Sequence, residues 1–132
     1  MYLKIYLTAL ILFLIIDALW LGVVAKKLYQ DKIGFLMKIN VNWVATIVFY
    51  LLFVIGIIVF VINPALDSGQ WTQALLLGAF FGFITYATYD LTNLATLQGW
   101  STIVTIIDIL WGTFVVAAVS ITTYFIATNF GW

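Results

Sequence analysis

The chain has 132 residues, 66% of them hydrophobic and only 8% charged, whereas a soluble domain carries about 25% charged residues, so the sequence reads as a membrane protein with room for one small domain. Five lysines balance five aspartates, and with no arginine there is no electrostatic case for nucleic acid. Without histidine or cysteine there is no imidazole or thiolate for zinc or haem, no disulfide and no thiol nucleophile, and neither a metal nor a cofactor is expected.

At 1.5 Å rise per residue, about 20 apolar residues cross the ~30 Å hydrocarbon layer. Four segments reach that length, near 2–24, 43–62, 73–97 and 102–128. No barrel-type alternation of polar and apolar residues occurs, and backbone groups in lipid must be paired within the segment. The expected fold is an all-α membrane protein, a bundle of four transmembrane helices forming a single domain over 1–132.

The first span runs past the 7–15 apolar residues of a secretory signal and is interrupted by Asp17, so it is expected to be a retained anchor. After it, Lys26, Lys27, Lys32 and Lys38 alternate with Leu28, Tyr29, Ile33, Phe35, Leu36 and Met37, the pattern of a stretch lying in the lipid interface. The loop between the second and third spans has no positive charge. The positive-inside rule therefore puts loop 25–41 in the cytoplasm and both termini outside, in a multi-pass cell-membrane protein. In the second span only Asn42, Thr46 and Tyr50 are polar near one end, which assigns it to scaffolding, and Asn63 before Pro64 is expected to end it.

In the third span Ala74, Gly78, Gly82, Tyr86 and Asp90 fall on one i+4 stripe that contains a GxxxG pattern, and Asn93 joins that face. Such a face packs within the bundle or against a second copy, so a homodimer is one expectation. The first and fourth spans share a phrase, Ile15-Ile16-Asp17-Ala18-Leu19-Trp20 and Ile106-Ile107-Asp108-Ile109-Leu110-Trp111, each followed by a glycine, Gly22 or Gly112. The two spans run in opposite directions. With the acids level, Trp20 is expected toward the lysine-loop side and Trp111 toward the far side, walling a cavity above and below.

Asp17, Asp90 and Asp108 are the informative residues, because an aspartate at a helix centre costs roughly 2.5–3.5 kcal/mol even on lenient insertion scales. Counted from the loop ends, all three lie ~10–14 Å in from the lysine-loop face. Three carboxylates in a shared low-dielectric cavity without a base cannot all be ionised, so they are expected to titrate as a coupled set. Asn93, Thr92, Tyr89, Tyr86, Thr96 and Thr105 supply hydrogen-bond partners near the same level.

The stretch Tyr89-Asp90-Leu91-Thr92-Asn93-Leu94-Ala95-Thr96-Leu97-Gln98-Gly99-Trp100, with Asp108-Ile109-Leu110-Trp111-Gly112-Thr113 after it and Asp17-Ala18-Leu19-Trp20-Leu21-Gly22 before it, resembles a bacterial family of small four-span membrane proteins catalogued only as a domain of unknown function. The resemblance covers essentially the whole chain. It implies a fold and no reaction.

Three functional readings follow from the residues. In the first, the protein acts on or binds a lipid or other hydrophobic small molecule. Asp90 then leads as acid or base, Asp17 and Asp108 tune it or hold an ion, and Trp20 and Trp111 line the pocket with the tyrosines and threonines above. In the second, the acids take up a proton, a sodium ion or an amine-bearing solute in a small carrier. In the third, a non-catalytic accessory subunit docks an enzyme through the Lys26–Lys38 loop. Whether the protein is an enzyme stays open at this level.

Overall fold

The computed structural model describes residues 1–132, 86% of them helical and none in a strand. In chain order, α1 covers Tyr2–Leu19, α2 Lys26–Ile33, α3 Trp43–Ile57, α4 Asn63–Ser68, α5 Trp71–Thr96 and α6 Thr102–Asn129. Four helical stretches are long and apolar enough to cross a membrane, Tyr2–Val24, Trp43–Ser68, Trp71–Thr96 and Thr102–Asn129, and α2 lies between the first and second.

The starts of these helices follow local chemistry. The Asn42 side chain accepts the Ala45 N–H at 3.1 Å to begin α3, and Ser101 accepts the Val104 N–H at 3.2 Å to begin α6. Gly99, at φ 76°, supplies the left-handed residue in the tight turn between α5 and α6.

Pro64 does not end the second span, contrary to the sequence expectation. The helix opens into π geometry over Ile58–Ile62, which accommodates the proline ring and its missing N–H, and continues as α4 to Gly69. A second π turn, Trp20–Val24, finishes the first span.

The tightest contact in the bundle is between α5 and α6. A Cβ built on Gly82 would come 2.1 Å from the Gly112 carbonyl oxygen, and one on Gly78 would meet Ala117 Cα at 3.0 Å. Of the two expectations for the small-residue stripe, the structure uses packing within the chain, with Gly78 and Gly82 set against α6. In lipid such close approach gains dispersion contacts that larger residues would forbid.

The main core, including Phe13, Val54, Val61 and Val116, occupies the half of the bundle away from the lysine loop. In the loop-side half the helices separate. Here α3 leans on α1, and the second span meets α5 mainly from Ile58 onward. The bundle is thus solid at one end and split between its second and third spans at the other.

Candidate functional site

The split forms a cleft of about 460 Å³. Phe49, Tyr50 and Phe53 wall it on the second span, Thr85, Tyr86 and Tyr89 on the third. Asp17 and Asp108 lie on its inner wall beside Trp20 and Trp111. Phe49 and Tyr89 are both exposed at its lips, so the cleft opens sideways, toward the acyl chains of a surrounding bilayer.

The tryptophans are arranged differently from expectation. Trp20 and Trp111 stack face to face, with centroids 4.3 Å apart and planes 5° from parallel. The cause is the tilt of the Cα–Cβ bond toward each helix's N-terminus. In two antiparallel helices carrying the same phrase, this leans the indoles toward one another and the carboxyls apart. The tryptophans form one partition and do not wall the cavity above and below.

Each carboxyl is held on its own side of that partition. Asp17, 6% exposed, accepts the Tyr50 hydroxyl at 2.5 Å and the Trp111 indole N–H at 3.1 Å, one on each oxygen. Asp108 accepts the Tyr29 hydroxyl at 2.7 Å, and that hydroxyl in turn receives the Trp20 N–H at 3.0 Å. Burial, with the Asp108 charge beside it, pushes the Tyr29 phenol well above its ordinary range, so Tyr29 remains a neutral donor.

Asp90 is wholly buried, and neither of its oxygens receives an N–H or O–H from the chain. The Asp108 carboxyl borders the same small cavity as Asp90. The three aspartates do not gather into one metal-holding cluster. They form a series in which Asp17 and Asp108 share the cleft, and Asp108 and Asp90 share a second cavity of about 190 Å³ on the lysine-loop side.

Several expected participants stand elsewhere. Thr92 and Thr96 are exposed and bond back to carbonyls of their own helix, Thr88 and Tyr89 for the first and Thr92 for the second. They stand two and six positions along α5 from Asp90, roughly 160° and 120° around the helix from its face. Asn93 is half-buried and lines neither cavity. Thr105 is buried, but its hydroxyl serves the Trp100 N–H at 3.0 Å and the Ser101 carbonyl at 2.9 Å, so it positions Trp100 without reaching either cavity. Tyr86 does line the cleft, its ring seated on Gly112, where a Cβ would lie 2.1 Å from the ring.

Two tyrosines that the sequence reading left out are in direct contact with the acids. Tyr50 belongs to the span assigned to scaffolding, and Tyr29 to the loop read as interfacial. Both were marked by spacing. Asn42, Thr46 and Tyr50 recur every four residues on one face of α3, and Ala25, Tyr29 and Ile33 do the same through α2. The Ala25 and Tyr29 side packs on Val104 of α6, while Lys26, Lys27 and Lys32 are exposed.

Fold and site together define a polytopic helical membrane protein with two aspartates, Asp17 and Asp90, buried between its spans. The chain belongs to the family described as Predicted membrane protein (DUF2177), whose model matches residues 2–125. No curated protein and no solved structure matches it.

Proposed function

We propose that this protein takes up a lipid or other apolar amphiphile sideways, between its second and third spans, and holds the polar end against the carboxyls on the cleft's inner wall. The observation that carries this reading is the cleft itself, about 460 Å³ in volume, aromatic along its length and acidic at its base. That volume falls within the roughly 300–1,000 Å³ of small-molecule sites, which are likewise mostly apolar with a few convergent polar groups. Both Asp17 oxygens already have partners. Asp108 has one oxygen beyond its Tyr29 bond to receive a hydroxyl or amine.

Native mass spectrometry of the protein from mild detergent tests this. One tightly retained amphiphile is expected on the wild type, and Thr85→Phe, which fills the cleft from the third span, is expected to release it. Equal retention by both would overturn the reading.

With four of the five lysines in the loop after the first span, the positive-inside rule sets that loop in the cytoplasm and opens the cleft to the inner leaflet. The chain has no native cysteine. Single Lys38→Cys and Asp67→Cys variants report its orientation in intact cells: an impermeant maleimide is expected to label only the second, and the opposite pattern would invert the assignment.

A further inference from the structure

The second cavity is smaller than the cleft and, like it, mostly apolar, but it is the one that Asp90 borders. Its walls include Asp90, Asp108, Tyr29, Tyr89 and Trp100, and no lysine. The Tyr29 hydroxyl is committed to Asp108 and the Trp100 N–H to Thr105. Tyr89 stands edge-on to Trp100, with centroids 5.8 Å apart at 89°. The rest of the wall is apolar, Leu21, Ile33, Met37 and Val104, so the polar groups at the chamber are the Asp108 carboxyl and, buried in the wall without a donor, that of Asp90, bordered by aromatic rings.

That combination selects a class of ligand. An anion would meet only like charge. A bare metal ion would lack ligands, because no third Asp, Glu, His or Cys comes close enough to complete a site. A compact organic cation satisfies both features, since its N–H groups bond to carboxyl oxygens while its carbon shoulders rest on aromatic rings, where cation–π attraction is strongest for tryptophan.

We propose that this chamber binds an alkylammonium group, with Asp90 and Asp108 receiving its N–H bonds and Trp100 and Tyr89 flanking its carbons. The groups facing the site are Asp90 and Tyr89 from α5, Asp108 from α6 and Tyr29 from α2. The two cavities meet at Leu21, Tyr89 and Asp108, so the ammonium belongs either to a free amine or to the headgroup of an amphiphile whose tail lies in the cleft. The chemistry is the same in both cases, and only the lipid source rests on the uptake reading above.

The test uses the full chain in an amine-free maltoside detergent and phosphate buffer. Calorimetric titration with n-butylammonium chloride is expected to show saturable binding that n-butanol and sodium chloride do not reproduce. Asp90→Asn is expected to weaken it at least tenfold. Trp100→Leu, which leaves both acids in place, is expected to weaken it severalfold and guards against a folding defect in the first variant. In a second arm, nanodiscs containing equal phosphatidylethanolamine and phosphatidylglycerol identify the source: preferential retention of the ethanolamine lipid, lost in Asp90→Asn, marks a headgroup, and butylammonium binding without it marks a free amine.

Binding of neither amine, binding matched by butanol or sodium, or binding unchanged in both variants would overturn the proposal. Absence of amine binding from a chain that still retains an amphiphile in the cleft would contradict the chamber alone. Amine binding without a retained amphiphile would contradict the cleft alone.

Discussion

Asp17 shows how a carboxyl is made tolerable in a helix bundle without a cation. Its two oxygens are divided between a phenol from α3 and an indole from α6, so one side chain ties three helices together. Such bonds are modest in membranes, averaging ~0.6 kcal/mol and reaching ~1.7 kcal/mol. Tyr50→Phe, which removes the shorter of the two and nothing else of size, is therefore expected to lower stability by about 1 kcal/mol in a reversible unfolding assay. No loss would mean that the bond is not formed in the bilayer. Asp90 stands in the opposite condition, fully buried with neither oxygen bonded to a donor of the chain, which makes it the residue whose environment asks for a ligand.

Between elements, near-identical sequence does not give identical packing. The Asp-x-x-Trp phrases of the first and fourth spans have a glycine close behind, two residues after Trp20 and one after Trp111, and that one-residue offset gives the two glycines different surroundings. A Cβ on Gly22 would meet nothing within 4 Å, while one on Gly112 would lie inside the Tyr86 ring. Gly112→Ala is accordingly expected to cost 3 kcal/mol or more, at or beyond the usual ~1–3 kcal/mol for overpacking, whereas Gly22→Ala stays within about 0.5 kcal/mol. Thermal unfolding of the two variants in the same detergent checks the contrast, and equal effects would contradict the α5–α6 crossing.

The same scale shows what periodicity conveys. The four spans and the inward face of α5 were legible in the sequence, because length, hydropathy and i+4 spacing are properties of single helices. The stacked tryptophans were not, because they depend on the N-terminal tilt of side chains in two antiparallel helices. The contacts of Tyr29 and Tyr50 depend on which helices are neighbours. Thr92 and Thr96 are a different case: two and six positions from Asp90, they lie roughly 160° and 120° off its face, and helical spacing alone already turns them away from the acids. The continuation through Pro64 required a π turn that no residue type announces.

At the scale of the whole molecule, the bundle divides its length between two tasks. The half away from the lysine loop is densely filled by branched aliphatic side chains and Phe13, and it holds the spans together. The loop-side half gives up that packing between the second and third spans, and there the aspartates, the paired indoles and four tyrosines are found. Segment α2 folds beneath this open half, with Tyr29 and Ile33 on the wall of the inner chamber and its lysines outward. A cleft open on the side of the bundle, with Asp17 and Asp108 on its inner wall, is the arrangement that the proposed uptake of an amphiphile requires.

The most direct measurement is photolabelling in nanodiscs with a lipid whose acyl chain carries a diazirine, followed by mapping of the adducts by mass spectrometry. Carboxyl groups capture the reactive species efficiently, and neither Asp17 nor Asp108 lies on the outer surface of the bundle. Adducts on Asp17 or Asp108 that diminish in the cleft-filling Thr85→Phe variant are the predicted result. Labelling confined to outward-facing residues such as Leu52, Leu76 and Phe114 would contradict entry of a lipid into the cleft.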